Sequence, residues 1–165
     1  MCNTHIFSNP EFPDVKLWQT YTILCEMNRF LNGRTLPVIV CGDFNSQPHS
    51  AVYELLSTGR VSLPHAALEN DPDGIFPDKT LYHHFGLQSS YAAVSRNEPP
   101  YTNYTGHWVG TVDYIWHTCD VIPIAVAKVH DPEILEAYSN SALPNCQFPS
   151  DHVPLITEFI FPTGS

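Results

Sequence analysis

Pro37-Val38-Ile39-Val40-Cys41-Gly42-Asp43-Phe44-Asn45-Ser46 is a short apolar run that meets a glycine and then an acid and an amide two residues apart. Val38, Ile39 and Val40 are β-branched and suit a covered sheet position, so the run predicts a buried strand. Gly42 at its carboxyl end permits a sharp turn or a close approach to a ligand. Open α/β sheets gather their chemistry at such ends. If the chain stays extended, Asp43 and Asn45 point to the same side, where a carboxylate and an amide can face one phosphate, water or cation. The competing reading is structural: the strand ends in an Asx-turn.

On the amino-terminal side, Cys2 to Phe7 reads as a second strand carrying His5. A core strand that begins at residue 2 predicts further sequence upstream or on another chain. Asn9-Pro10-Glu11-Phe12-Pro13 is a loop by its prolines, and Asp14 is placed as a helix N-cap. From Val15 to Asn32 the apolar residues Leu17, Trp18, Tyr21, Leu24, Cys25 and Leu31 recur at helical spacing, with Gly33 as the stop. The resulting strand, helix, strand order matches a right-handed crossover. Ser50 to Ser57 predicts a shorter helix closed by Gly59, whose amino end can hold an anion beside Asp43 and Asn45.

Further along, Asp71-Pro72-Asp73-Gly74 and Asn97-Glu98-Pro99-Pro100 mark loops, and Gly86 to Ala93 predicts a short strand or turn exposing Tyr91. His83-His84 has no spaced partner motif and reads as solvated, with metal binding the lesser alternative. Tyr101-Thr102-Asn103-Tyr104-Thr105 and then Gly106-His107-Trp108-Val109-Gly110 form a loop dense in aromatics, which either packs on a sheet edge or stacks bases. Thr111 to Thr118 reads as a strand, with Val121 to Val129 its neighbour. Asp113 at its start is an acid that needs a partner if buried. Asp131 to Asn140 is a helical turn or two on the surface. Pro149-Ser150-Asp151-His152 precedes an apolar last strand, Val153 to Phe161. A histidine held in one tautomer by a carboxylate can serve as general base or bind a phosphoryl oxygen, and Asp113 is the available carboxylate.

The 165 residues suffice for one ordinary domain, and no repeat, charge block or linker divides them. With 7 basic against 17 acidic residues the net charge is −10, which argues against generic binding to a phosphate backbone. Any nucleic acid must then be held by metal ions, specific contacts or parts outside the chain. The five cysteines, Cys2, Cys25, Cys41, Cys119 and Cys146, are odd in number and form no C-x-x-C pair. They read as reduced packing residues of a protein of the cytoplasm or nucleus. No apolar run approaches the roughly 18 residues of a membrane span, and no signal-peptide core follows Met1. The sequon Asn103-Tyr104-Thr105 is accordingly read as a chance match.

Four segments in one order, Asn3-Thr4-His5, Gly42-Asp43-Phe44-Asn45-Ser46, Asp113-Tyr114-Ile115-Trp116 and Ser150-Asp151-His152, resemble the endonuclease/exonuclease/phosphatase superfamily of Mg²⁺-dependent phosphodiesterases. Within it, the Tyr101 to Thr105 loop, Gly110, Pro10 in Asn9-Pro10-Glu11, and Phe148-Pro149-Ser150-Asp151-His152 resemble the poly(A)-specific deadenylase branch. The resemblance covers nearly the whole chain. It implies the carboxyl-terminal half of a four-layered α/β sandwich, with two packed sheets flanked by helices and the amino-terminal half absent. It implies Mg²⁺-dependent 3′-to-5′ hydrolysis of poly(A) to 5′-AMP, and partners in the cytoplasmic mRNA-deadenylation complex.

Residue by residue, the resemblance makes Asp43 the group that positions or activates water and Asn45 a contact to the scissile phosphate. His152 acts on the phosphate or the proton, Asp113 orients it, Asp151 lies near the metal and His5 touches phosphate at the rim. Asn103 and Trp108 receive adenine, with Pro10 beside the base. Trp108 stands where Phe is expected in the branch. The principal metal-binding glutamate lies in the absent half, so the chain alone is expected to be inactive, with an apolar sheet face uncovered. The alternatives are a nucleotide 2′-phosphatase or cyclic-phosphate phosphatase on the same scaffold, or a noncatalytic binding module.

Overall fold

The computed structural model describes residues 1–69, 71, 74–76, 78–129 and 142–162. Its frame is a four-stranded mixed sheet with helices on one face and three two-stranded sheets around it. The chain enters as β1 (Cys2–His5), crosses through helix α1 (Pro13–Leu31) and returns as β2 (Ile39–Asp43), parallel to β1. Helix α2 (Ala51–Thr58) follows, then the β3 (Arg60–Ser62) and β4 (Thr80–Tyr82) pair with the short helix α3 (Ala66–Glu69) between them. Strand β5 (Gln88–Ser89) leads into α4 (Ser90–Ser95). The hairpin β6 (Asn103–Tyr104) and β7 (Val109–Gly110) feeds β8 (Asp113–His117). Strand order in the main sheet is β1-β2-β8-β5, and β9 (Ile122–Val126) pairs antiparallel with β10 (Thr157–Ile160).

The core lies where α1 and α2 cover one face of the main sheet. Leu17, Leu24, Leu55 and Leu56 meet Val40, Tyr114 and Trp116, all essentially without solvent contact. Burying such side chains contributes about 1.5–3 kcal/mol each. The other face of the same strands carries Asn3, Ile39, Cys41 and Ile115, none of them fully buried. Ile122, Ile124 and Ile160 of the outer pair are also exposed.

Several local expectations are corrected. Helix α1 begins after Phe12, with Pro13 at its first position and Asp14 inside the first turn, so Asp14 is not the N-cap. Proline lacks the N–H that the first turn leaves unpaired and already has a helical φ, so it sets the start. Asn32, left-handed at φ 47°, closes the helix one residue before Gly33. Gly42 does not end its strand. It lies within β2 at φ 139°, where a Cβ would sit 1.9 Å from the Thr4 carbonyl oxygen, so its role is close approach to β1.

Tyr91 is 4% exposed, because Gly86 to Ala93 contains β5 and the start of α4, and its hydroxyl donates to the Ala127 carbonyl at 2.9 Å. The segment expected to flank Thr111 to Thr118 instead pairs with the last strand, which is shorter than predicted. His83 is not simply solvated: Nδ1 accepts from Phe85 N, leaving Nε2–H to donate to the Leu55 carbonyl at 2.8 Å near the end of α2. The predicted turn at Asp131 to Asn140 lies outside the described residues.

Candidate active site

Sheet register places His5, Asp43 and Asp113 side by side across three adjacent strands, at the carboxyl ends of β1 and β2 and the start of β8. His152 arrives on a different segment. An isolated bridge to Asn103, Val153 N donating to the Thr102 carbonyl at 2.8 Å and Tyr104 N donating to the Asp151 carbonyl at 2.9 Å stitch residues 151–153 onto β6. Thr102, fully buried, ties the assembly together: its Oγ1 accepts from the backbone N–H of Val112 at 2.9 Å and of Asp113 at 3.0 Å.

The expected contact between the strand acid and the histidine is present, with His152 Nδ1 at 2.8 Å from Asp113 Oδ2. A carboxylate accepts only, so Nδ1 carries the proton and Nε2 is the nitrogen left for chemistry. Nε2 lies 3.9 Å from Asp43 Oδ2, and His5 Nε2 lies 3.4 Å from the same oxygen. Burial pulls the pKa of His152 down, but the hydrogen bond and charge of Asp113, with the charges of Asp43 and Asp151, outweigh it and leave the imidazole above its ordinary value. Asp43 is pushed up chiefly by burial, opposed by the hydrogen bond from Asn45 N and reinforced by the Asp113 charge.

Asp43 and Asn45 bear out the structural reading of their stretch, and the chain does not stay extended through it. Asn45 N donates to Asp43 Oδ1 at 2.7 Å, an Asx-turn, and the residue is left-handed at φ 47°. Both residues also line a cleft of about 680 Å³. The Asn45 amide gives its two hydrogens to the Ile6 carbonyl at 2.8 Å and Asp43 Oδ2 at 3.2 Å, so donation to a phosphate would require exchanging one of them. His5, Pro10, Asn103, Trp108, Asp151 and His152 line the same cleft. Asn103 is 8% exposed and donates from Nδ2 to Asp151 Oδ2 at 3.2 Å, while Trp108 is 40% exposed. The amino end of α2 reaches the cleft too, with Ser50 capping Tyr53 N at 3.2 Å.

Three residues of the site escaped the sequence reading. Lys16 is 7% exposed and its Nζ donates to the Asn45 carbonyl at 2.8 Å, which helps hold the left-handed turn. Burial lowers its pKa against the opposing pull of Asp43. Its signal was positional, since Lys16, Thr20 and Leu24 recur every four residues along the buried stripe of α1. Gln47 lines the cleft beside Trp108, and nothing in Asn-Ser-Gln-Pro singled it out. Thr102 was read only as part of an aromatic loop.

Among the described residues, Asp43, Asp113 and His152 form a group whose ligand atoms lie within 4.8 Å of one another. Two carboxylates are donors that a hard cation such as Mg²⁺ takes, and a histidine nitrogen suits softer metals, so the set accommodates a divalent ion without specifying it. Asp151 is not in this group. No helix among the described residues is long and apolar enough to cross a membrane.

Residues 4–152 match the family model described as Endonuclease/Exonuclease/phosphatase family. Over 96% of its length the chain is 35% identical to "Carbon catabolite repressor protein 4 homolog 1" of Arabidopsis thaliana, of which it spans 29%. It is 36% identical, again over 96% of its length, to "CCR4-Not complex 3'-5'-exoribonuclease subunit Ccr4" of Saccharomyces cerevisiae, of which it spans 20%. Among solved structures, ANGEL2, a 2′,3′-cyclic phosphatase, superposes with a TM-score of 0.77 at 26% identity, covering 95% of this chain and 55% of that one. The human Nocturnin catalytic domain shares the fold, with a TM-score of 0.65 at 24% identity over 97% of this chain and 46% of the other.

Proposed function

The chain belongs to the Endonuclease/Exonuclease/phosphatase family, and from that premise we propose that it carries much of the catalytic centre of a 3′-to-5′ exoribonuclease acting on poly(A). The observation that carries this reading is the run of contacts from Asp113 through His152 toward Asp43, in a cleft that Trp108 also lines.

On this reading the terminal nucleotide enters with its base against Trp108 and its phosphate toward Asp43 and His152. Asp113 holds Nδ1 of His152 and, by raising the pKa of the ring, favours the imidazolium, whose Nε2–H donates to a phosphoryl oxygen. Asp43, aligned by Asn45 N, accepts a proton from the attacking water. The water oxygen bonds to phosphorus as the P–O3′ bond breaks and the departing O3′ takes a proton from solvent, giving 5′-AMP and an RNA shortened by one nucleotide. Mg²⁺, held by the carboxylates of Asp43 and Asp113, would neutralise charge developing on the phosphoryl and leaving oxygens. Lys16 keeps the Asp43 to Asn45 turn in place, and His5 lines the phosphate side.

Mg²⁺ is commonly held by one or two carboxylates together with waters and substrate phosphates, a number that Asp43 and Asp113 meet. We infer in addition that the glutamate implied by the resemblance comes from a portion of the domain outside these 165 residues, since the chain covers 55% of the ANGEL2 structure. Association with subunits of a deadenylation complex is part of the same proposal, supported by the likeness to a subunit of the CCR4-Not complex.

A second reading, hydrolysis of a 2′,3′-cyclic phosphate, is supported by the likeness to ANGEL2. The deciding experiment offers oligo(A) and adenosine 2′,3′-cyclic phosphate, with Mg²⁺, to the chain supplemented by an amino-terminal portion of a relative. The proposal expects 5′-AMP from the oligomer. Turnover of the cyclic phosphate alone supports the second reading, and turnover of neither contradicts both.

A further inference from the structure

Gly110 is buried in β7, and a Cβ there would lie 2.7 Å from both Cη2 and Cζ2 of Trp108 and 2.8 Å from Nε2 of Gln47. Side chains do not tolerate contacts that short. Glycine thus lets the six-membered ring of Trp108 and the carboxamide of Gln47 lean on the same patch of backbone. The two meet over one residue, and both line the cleft.

Gln47 is half-buried, and among the described residues its carboxamide makes no hydrogen bond, although its backbone carbonyl accepts from Ser50 N at 2.9 Å. A partly buried amide facing a cleft keeps both its donor and acceptor capacity for a ligand. Asn103, the amide first expected to read the base, is already engaged: it is 8% exposed and gives Nδ2 to Asp151.

We propose that Gln47 reads the edge of the base that stacks on Trp108, and that Asn103 acts by holding Asp151 and the segment that carries His152. This rests on the reading of the cleft as a site for a 3′-terminal adenosine, and adds the residue that recognises it. Adenine presents an amino donor at N6 beside an acceptor at N7, the pair a carboxamide matches with its oxygen and its NH₂. Guanine offers two acceptors along that edge, and a pyrimidine has no N7. The acidic chain has no generic attraction for a phosphate backbone, so stacking and edge contacts must carry much of the binding.

The test is titration of the purified chain with AMP, GMP and UMP, followed by heteronuclear NMR, for the natural sequence and for Gln47→Leu. The natural sequence is expected to prefer AMP. Gln47→Leu is expected to cut that preference about tenfold while UMP affinity, which rests on stacking, changes less than about twofold. The wild-type pattern of backbone shifts away from the cleft checks that the variant is folded. An AMP preference unchanged in Gln47→Leu overturns the proposal and leaves the adenosine reading standing. A natural chain that binds the three nucleotides alike, or binds none, removes the adenosine reading and the proposal with it.

Discussion

The two walls of the cleft are held by different means. On one side, Asp43 lines the cleft and is fixed by strand register beside Asp113, and the two side chains are 14% and 19% exposed. His152 is locked to Asp113 by a 2.8 Å contact. On the other side, Trp108 is 40% exposed, carried by a two-stranded hairpin and propped on a glycine. A rigid sheet edge suits groups that must keep a reacting geometry within fractions of an ångström, whereas a half-exposed ring on a short hairpin suits a base that must come and go. Substitutions on the first wall should change rate, and substitutions on the second should change base preference.

The largest effect is expected for His152→Ala in an assembly active on oligo(A), where kcat should fall about 10²- to 10⁴-fold with the preference for A over U kept. Single-turnover assays on both oligomers read both quantities. A shared loss of rate and preference would erase the distinction between the walls. Trp108→Ala should cost roughly 1–3 kcal/mol of stacking, or about 5- to 150-fold in kcat/KM for oligo(A), with a smaller change in kcat. Gly110→Ala should weaken the same parameter by less, because the added methyl displaces the ring instead of removing it.

The smallest effect is on stability. The pKa of His152 is raised on folding, so its protonated form adds stability that is fully present below the ordinary histidine value and is lost as pH rises through the native value. Asp113→Asn removes that contribution. The difference in Tm between the natural chain and Asp113→Asn should therefore be widest near pH 5 and narrow toward about pH 8. A difference independent of pH would mean that the contact does not perturb His152.

The rate-related wall was the more legible in the sequence. Strand ends carrying acids are visible as an apolar run that stops at Asp43, and the cost of a lone strand acid links Asp113 to His152 from the sequence alone. The register that brings His5, Asp43 and Asp113 abreast was not visible, because pairing between β2 and β8 joins residues about seventy positions apart. The base wall was read as a composition, aromatics near an amide. The resemblance points to Asn103, and nothing in the sequence reveals that its amide is given to Asp151 whereas that of Gln47 makes no hydrogen bond among the described residues.

The misreadings elsewhere have the same origin. Tyr91 is expected to be exposed on a short strand or turn, yet its ring is buried and its hydroxyl reaches Ala127 in a loop far along the chain. Gly42 is expected to permit a sharp turn or a close approach to a ligand, whereas what it makes room for is the backbone of Thr4 in the adjacent strand. Local pattern located the elements; contacts between distant segments decided what each residue was for.

The most direct measurement is AMP release from labelled oligo(A) with Mg²⁺, by the natural chain and by Asp43→Ala, each with and without an amino-terminal portion of a relative. Release that needs the added portion, is stopped by EDTA and is lost in Asp43→Ala is the predicted result. Release that survives Asp43→Ala, or robust release by the 165-residue chain alone, would contradict the account of where the chemistry and its metal reside.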